Sequence, residues 1–252
     1  MDEAIVDLNN VCFRWKNSGS LLLDIPEFRM KQHEHVFLQG PSGCGKSTLL
    51  ALVGGILILE SGSLKVLGQE IRDLSRSGRD VFRVDHIGFI FQLFNLLPYL
   101  SIEDNVMLPL RFSSIRAKRA GRTKFDRINE ARRLLKALGL NEQQAEKRPV
   151  IELSVGQQQR VAAARALIGS PELIIADEPT SALDTNLRHS FLELLFGECK
   201  KSGSTLLFVS HDSTLSDNFN RQASMDELNN ICLLYTSPSP RDVEESRMPS
   251  SA

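Results

Sequence analysis

The stretch EHVFLQGPSGCGKSTLLALVGG, residues 34–55, constrains the possible folds of this chain more than any other. It begins with an apolar run typical of a β-strand, continues through a glycine-rich loop and ends in a run typical of a helix. The loop fits the phosphate-binding pattern G-x4-G-K-[ST], with Gly40, Gly45, Lys46 and Ser47 at the fixed positions. A chance match is the alternative, and the flanking strand and helix disfavour it. This order predicts an α/β fold with a phosphate-binding loop.

The residue types in this loop suit a nucleoside triphosphate. Glycine allows a close approach that a Cβ atom would block, so successive N–H groups and the positive end of the following helix can surround a β-phosphate. Lys46 would then contact the β- and γ-phosphates, Ser47 would bind Mg²⁺ and Thr48 would contact the α-phosphate. The predicted ATP-binding residues of the loop are Gly40, Ser42, Gly43, Cys44, Gly45, Lys46, Ser47 and Thr48.

A pair of carboxylates follows a second apolar run. The residues LIIA at 173–176 are typical of a parallel strand covered on both faces, and Asp177 and Glu178 come directly after them. A carboxylate at the carboxyl end of such a strand faces the ligand site of an α/β sheet. We therefore predict that Asp177 holds Mg²⁺ through water and that Glu178 orients and polarises the attacking water. A solvated acidic turn is the alternative, and it fits the chain less well because the lysine loop is present.

Four further short motifs have the composition and order of a known family. They are GFIFQ at 88–92, LSVGQ at 153–157, SALD at 181–184 and LLFVSH at 206–211. Together with the lysine loop and the carboxylate pair, they resemble the motifs of the ATP-binding cassette (ABC) ATPases. The resemblance covers nearly all of residues 1–230, and it implies ATP hydrolysis that depends on Mg²⁺.

The resemblance implies a role for individual residues of these motifs. Gln92 and His211 resemble the Q-loop glutamine and the switch histidine, and they would act beside Glu178 in catalysis. Trp15 stands where the family places an aromatic ring on adenine, and a flat ring is sufficient for stacking on a base. The ordinary alternatives are solvated polar residues at strand ends and a tryptophan of the core. The predicted magnesium ligands are Ser47, Gln92 and Asp177, and the residues predicted to contact ATP outside the loop are Trp15, Ser154, Gly156, Gln157 and Asp184.

The signature motif departs from the family pattern at one position. The family usually has Leu-Ser-Gly-Gly-Gln, whereas this chain has Val155 at the third position and keeps Gly156. If Gly156 is where the backbone approaches the γ-phosphate, Val155 costs little activity. If the missing glycine is needed for its backbone dihedral angles, a β-branched valine slows turnover. We expect the milder outcome.

The signature motif also carries a prediction about quaternary structure. Ser154 and the N–H groups of Gly156 and Gln157 open a helical run whose positive end attracts anions. In the family, this helix faces the γ-phosphate bound by the lysine loop of the other subunit. Since the chain has one lysine loop and one signature, the resemblance implies a symmetric homodimer that buries two ATP molecules.

The predicted fold class is α/β, with a P-loop NTPase (RecA-like) core, an antiparallel β-subdomain and an inserted α-helical subdomain. Alternating or apolar runs in 4–30 and 62–71 indicate the β-subdomain. Residues 93–165 form the predicted helical subdomain with the signature, and Gln92 lies at its hinge. Residues 1–92 and 166–230 complete one ABC nucleotide-binding domain, 1–230. A helical periodicity in the inserted part is carried by Ile128, Ala131, Leu134, Leu135 and Leu138.

Two stretches of the helical subdomain have more than one interpretation. LFNLLPYLSIEDNVMLPL at 93–110 is either core of this subdomain or part of a groove that takes a coupling helix from a membrane subunit. The two interpretations overlap, because residues at the base of a groove also belong to the core. The basic stretch IRAKRAGRTK at 115–124 is expected to be a solvated helix or loop, with contact to anionic headgroups as the alternative.

Composition limits the function further. The formal net charge is −1, so no overall basic field favours nucleic acid as a partner. The four cysteines have no metal-ligand spacing and are expected to be reduced thiols of a cytosolic protein. The longest uncharged apolar run, Leu49 to Leu59, is shorter than the about 20 residues that a membrane span requires. We therefore expect any membrane-spanning permease subunits to be separate chains.

The combined prediction is the ATP-binding and ATP-hydrolysing subunit of an ABC transporter, peripheral at the cytoplasmic face of the inner or plasma membrane. The stretches at 92–106 and 153–160 look most like the exporter group that serves lipoprotein release and macrolide efflux. A soluble ABC ATPase, such as a cofactor-assembly scaffold, is the alternative from another functional class.

Residues 231–252 are predicted not to be native sequence. CLLYTSPSPRD at 232–242 reads as one translated frame of a transposase sequencing adapter, and SRMPSSA at 246–252 reads as its continuation. The alternative is a genuine disordered tail rich in serine and proline.

Overall fold

The computed structural model describes residues 4–16, 19–140 and 149–232, which form two β-sheets and a set of α-helices. Apart from its first two positions, the segment 231–252 lies outside the described residues. The strands are β1 (Ala4–Phe13), β2 (Leu23–Lys31), β3 (His35–Gln39), β4 (Ser61–Val66), β5 (Gln69–Glu70), β6 (Ile87–Ile90), β7 (Leu173–Asp177), β8 (Thr205–Val209) and β9 (Arg221–Ser224). The helices are α1 (Lys46–Val53), α2 (Arg76–His86), α3 (Ile102–Met107), α4 (Ser114–Ala120), α5 (Lys124–Ala137), α6 (Val155–Leu167), α7 (Thr185–Ser202) and α8 (Met225–Leu228).

The core is a five-stranded parallel sheet in the order β6-β7-β8-β3-β9. Every residue of β8 is buried, as expected for a parallel strand covered on both faces. Alternate side chains enter different apolar clusters, Phe37 and Phe208 on one face and Val36 and Leu207 on the other. The sheet is therefore packed on both faces, and its carboxyl edge is left for polar loops.

A second, antiparallel sheet has the order β2-β1-β4-β5. Leu8 of β1 lies opposite Phe28 of β2 and Leu64 of β4, and all three side chains are buried. They share an apolar cluster with Leu49 and Leu52 of α1. The antiparallel β-subdomain predicted from 4–30 and 62–71 is confirmed.

Helices α3 to α6 are inserted between β6 and β7. In α5 the predicted apolar face is buried at Ala131, Leu134 and Leu135, and it packs with Val106 of α3 and Val161 of α6. The predicted α/β fold with inserted helices is thus confirmed. The predicted division between 165 and 166 falls inside α6, so that boundary stays a prediction.

The basic stretch at 115–124 differs from the solvated segment that the sequence predicts. Arg116 in α4 is buried, and its guanidinium donates to the carbonyl oxygens of Ile168 at 2.5 Å and Ala166 at 2.7 Å. Burial lowers the pKa of Arg116 to about 10, so the group still carries its charge at neutral pH. The expectation is wrong for this residue because carbonyl groups at the end of the buried helix α6 need hydrogen-bond donors. Arg119 pairs with Glu172 at 2.6 Å.

Two further expectations concern covalent links and membrane spans. The four cysteines are free thiols, as expected. Among the residues that the structure describes, no helix combines the length and apolarity that crossing a bilayer requires.

Candidate functional site

A cleft of about 810 Å³ lies at the carboxyl edge of the parallel sheet. The loop between β3 and α1 forms one side, and residues that follow β6, β7 and β8 form the other. The predicted site residues that line it are Gly40, Ser42, Gly43, Gly45, Lys46, Ser47, Thr48, Gln92, Glu178 and His211. Segments far apart in the chain therefore meet in one cleft, because carboxyl ends of parallel strands share an edge.

Glycine is required by the backbone of the lysine loop. Gly43 and Gly45 have φ angles of 81° and 96°, in the left-handed region that disfavours side chains. A Cβ atom on Gly45 would also lie 2.5 Å from Cδ2 of Leu23. The Lys46 ammonium folds back and donates to the carbonyl oxygens of Gly40 at 2.6 Å and Pro41 at 2.8 Å. Its charge is thus held over the loop at the mouth of the cleft.

Asp177 is the last residue of β7. Burial raises its pKa above the ordinary value, and a hydrogen bond from the Ser47 hydroxyl acts in the opposite direction. This contact joins the first turn of α1 to the end of β7. It places the Ser47 hydroxyl, which lines the cleft, beside the Asp177 carboxylate, which is not one of the lining residues.

Glu178 has a strained backbone. Its φ is +46°, which is uncommon for a residue other than glycine, and its N–H donates to Val209 at 3.0 Å. The side chain is largely buried, and Oε2 lies 2.8 Å from Nδ1 of the exposed His211. Strain of this kind is held in place by surrounding structure and clusters at functional sites. The carboxylate is thereby aimed at the cleft and fixed by a partner from the next strand.

Six predicted ATP contacts do not line the cleft, and Cys44 and Trp15 are two of them. Cys44 is buried beneath the loop, where its carbonyl accepts from the Asn229 amide at 3.2 Å. Trp15, which follows β1, is 50% exposed and stands edge-on to Phe13 with ring centroids 5.3 Å apart. Its ring therefore has a free surface and is not the core tryptophan of the alternative interpretation.

The signature motif lies at a second depression of about 290 Å³, which shares no lining residue with the cleft. Ser154 and Gly156 line it, at the beginning of α6. The Ser154 hydroxyl accepts from the N–H of Gln157 at 3.3 Å, and the Gln157 side chain accepts from the N–H of Ser154 at 3.0 Å. Ser154 and Gln157 thus form a capping box. The Gln157 N–H that the sequence predicts as an anion donor already has a partner in this structure.

The residue that departs from the family signature, Val155, has an unstrained backbone. Val155 is the first residue of α6 and is not one of the residues with a positive φ. A β-branched side chain is therefore not strained there. This observation favours the milder of the two expectations for turnover.

Asp184 caps a helix rather than lining either depression. Its carboxylate accepts from the N–H of Leu187 at 2.9 Å, and α7 begins at the next residue. Aspartate at this position satisfies an otherwise unpaired N–H and favours the positive end of the helix.

Several residues at the site were not predicted from the sequence. Ser224, the last residue of β9, and Asp226, two residues further on, line the cleft. Gln159 of α6 is buried and donates to the carbonyl of Pro179 at 2.7 Å, next to Glu178. Arg165 donates to the carbonyl oxygens of Phe94 and Asn95 at 2.5 and 2.6 Å, just beyond Gln92. Nothing in the local sequence indicates the roles of Gln159 and Arg165, since glutamine and arginine in a helix are typical of a solvated face.

Comparison with known proteins agrees with this geometry. The ABC transporter family model matches residues 23–181. The chain is 37% identical over 228 residues to the lipoprotein-releasing system ATP-binding protein LolD of Syntrophotalea carbinolica, covering 88% of this chain and 95% of that protein. It is 38% identical over 217 residues to the macrolide export ATP-binding/permease protein MacB of Mannheimia succiniciproducens, covering 86% of this chain but only 32% of that protein.

Solved structures give the same result. A dimeric, post-hydrolysis state of the ATP-binding cassette MJ0796 bound to ADP and Pi has a TM-score of 0.78 to this chain at 35% identity. The match covers 89% of this chain and 94% of that one. Because the family model matches more than half of the chain and LolD is covered over nearly its whole length, the chain belongs to the ABC transporter family as one of its ATP-binding cassettes.

Proposed function

We propose that this chain binds and hydrolyses ATP in the cleft, and that a second copy completes the site with its signature motif. The observation that carries the proposal is the separation of the two halves. Lys46, Glu178 and His211 line one depression, and Ser154 and Gly156 line another. One copy therefore presents the lysine loop and the signature at different places on its surface.

The cleft has the donors that a nucleoside triphosphate needs. Lys46 supplies a positive charge for the β- and γ-phosphates, and the loop N–H groups and the beginning of α1 surround the phosphate chain. The half-exposed ring of Trp15 stacks on the base. Predicted contacts from Ser42, Cys44 and Thr48 complete the cradle.

The base of the cleft also fits Mg²⁺. The Ser47 hydroxyl is hydrogen-bonded to the Asp177 carboxylate, and oxygen donors of this kind suit a hard cation that retains several waters. Gln92, at the wall of the cleft, supplies an amide oxygen. When bound, the ion neutralises charge on the phosphate oxygens.

Glu178 and His211 act on the attacking water. The carboxylate, fixed by the contact of 2.8 Å with His211, orients a water molecule in line with the γ-phosphate and accepts its proton. His211 holds the carboxylate in this orientation and reaches the γ-phosphate from the exposed side of the cleft.

The signature of the second copy closes the site. The N–H of Gly156 lies in the first turn of its helix α6, and the positive end of the helix dipole faces the γ-phosphate. The related cassette MJ0796 is described as dimeric and bound to ADP and Pi. A symmetric pair of this chain would bury two ATP molecules in the same way, with Asp184 near the interface.

Specific ATPase activity is expected to fall on dilution, because a monomer holds only half of each site. Phosphate release per chain, measured over a wide range of protein concentration at saturating ATP, should follow the fraction of dimer seen by sedimentation. A rate per chain that is unchanged at every dilution would show that one copy is sufficient.

A groove of about 300 Å³ is the proposed docking site for a membrane subunit. Leu108, Pro109 and Phe112 line it, whereas Ile102 and Val106, from the same ambiguous stretch, are buried in the core. The core interpretation of 93–110 therefore fits Ile102 and Val106, and the groove interpretation stays a proposal for Leu108 and Pro109. The groove lies beside the carbonyl groups bound by Arg165, directly after Gln92, so docking and nucleotide contact meet at one hinge.

Replacing Phe112 with aspartate is expected to abolish co-purification with the membrane subunits while basal ATPase activity is kept. Phe112 is 70% exposed and lines the groove, and Phe125 is equally exposed at 70% outside it. Phe125→Asp is therefore the matched control and should co-purify normally. Equal loss in both variants would contradict this docking site.

The relatives favour an exporter of the lipoprotein-release or macrolide-efflux group. LolD is described as an ATP-binding protein, and this chain spans nearly all of it. MacB is described as an ATP-binding/permease protein, of which this chain spans about a third. We infer separate permease subunits and a place for this chain on the cytoplasmic face of the membrane. The soluble scaffold alternative has no support among these relatives.

A further inference from the structure

Arg188, in the first part of α7, joins two loops of the site. Its Nε donates to the carbonyl oxygen of Leu183 at 2.8 Å, and its Nη1 donates to Oδ2 of Asp212 at 2.5 Å. Both members of the ion pair are mostly shielded from water, so the contact is stronger than one on an open surface. One planar guanidinium therefore holds two segments that are distant in the chain.

The Leu183 end of this link reaches the signature depression. Leu183 lines that depression and is buried. A Cβ atom placed on Gly156 would lie 3.5 Å from Cδ2 of Leu183, which is ordinary van der Waals contact. Gly156 of the signature is therefore close to Leu183, the residue whose carbonyl oxygen accepts from Arg188.

The Asp212 end reaches the catalytic cleft. Asp212 is adjacent to His211, whose Nδ1 lies 2.8 Å from Oε2 of Glu178. Oδ1 of Asp212 accepts from the N–H of Thr214 at 3.1 Å and from its hydroxyl at 2.6 Å. Asp212 thus stabilises the loop that contains His211, and Arg188 holds the Asp212 side chain in place.

We propose that Arg188 is a positioning residue that couples the two ATP sites of the dimer. The proposal rests on the proposed function, in which the signature depression faces the partner's nucleotide and the cleft holds the chain's own. Binding of the partner's γ-phosphate shifts Gly156 and Leu183. Because the Arg188 guanidinium binds both Leu183 and Asp212, this shift also moves Asp212 and thereby orients His211 toward Glu178. Hydrolysis in one cleft then depends on nucleotide in the other, which is a coupling between two distinct sites.

The test is the steady-state kinetics of Arg188→Ala at protein concentrations where the ATP-bound chain is fully dimeric. We expect the Hill coefficient for ATP to fall from about 2 to about 1 and kcat to fall about 10-fold. ATP affinity, measured in the Glu178→Gln background, should stay the same, since Arg188 does not line the cleft. Arg188→Gln, which keeps one donor, serves if the alanine variant does not fold, and it should lose cooperativity in the same direction.

Arg221 provides a matched control. It also bridges a carboxylate and a carbonyl, Glu34 at 2.7 Å and Arg29 at 2.5 Å, but at the amino end of β9, away from the cleft. Arg221→Ala should keep the wild-type Hill coefficient. Wild-type cooperativity in Arg188→Ala, or equal loss in Arg221→Ala, would overturn the proposal and leave the proposed function intact. A wild-type chain that hydrolyses ATP without pairing would remove both.

Discussion

Replacing Lys46 with alanine is expected to weaken ATP binding by about 10²–10⁴-fold. Hydrogen bonds from a charged donor contribute about 1.5–3 kcal/mol each, and Lys46 can reach both the β- and γ-phosphates from its place over the loop. Loss of two such contacts amounts to about 3–6 kcal/mol, at about 1.4 kcal/mol per tenfold change. Isothermal titration with Mg-ATP measures the effect directly.

The control for this prediction is another lysine of the same chain. Lys65 lies exposed on β4 and does not line the cleft, so Lys65→Ala should bind ATP with wild-type affinity. Thermal unfolding of both variants shows whether each is folded. Unchanged affinity in a folded Lys46→Ala chain would remove the assignment of the loop to phosphate binding.

Replacing Glu178 with glutamine is expected to reduce hydrolysis by about 10²–10⁴-fold, the usual contribution of a positioned general base. The amide has the same shape and can keep its contact with His211, but it cannot accept the proton of the attacking water. ATP binding through the lysine loop is unaffected, so the ATP-bound dimer should accumulate. Phosphate release and sedimentation velocity measure the two effects separately.

A matched carboxylate tests whether the effect is local. Glu193 is exposed on α7 outside the cleft, and Glu193→Gln should hydrolyse ATP at the wild-type rate. A Glu178→Gln variant that turns over normally would show that the base lies elsewhere.

The residues of the lysine loop could be predicted from the sequence because they are contiguous. When a loop of this pattern connects a strand to a helix, the loop alone fixes where Lys46 and Ser47 lie relative to the phosphates. The rest of the chain does not change this arrangement. Glu178 could be predicted because it follows an apolar run, and Gln92 and His211 could be predicted from the resemblance to the ABC family. Each follows an apolar run, and the runs became neighbouring strands of a parallel sheet whose carboxyl ends meet.

The supporting arginines could not be predicted. Arg116 and Arg165 each donate to carbonyl groups of distant segments, and Arg188 pairs with the carboxylate of Asp212 on another loop. A carbonyl has the same chemistry at every position, so the sequence does not indicate which one an arginine will reach. Arginine on a helix is therefore read as solvated until the packing of the helix is known.

The central claim is that the signature of one copy closes the site of the other, and Gly156→Asp in the Glu178→Gln background tests it most directly. Aspartate in the first turn of α6 favours its own helix, and its Cβ would meet Leu183 at an ordinary 3.5 Å. The chain should therefore fold and bind ATP through the unchanged lysine loop. Across the dimer, the new carboxylate would face the γ-phosphate and repel it.

Sedimentation velocity with Mg-ATP gives the result. The account predicts that Glu178→Gln sediments as a dimer and that the double variant sediments as a monomer with one ATP bound per chain. A double variant that still forms the ATP-bound dimer would contradict the account, because Gly156 would then lie away from the partner's nucleotide.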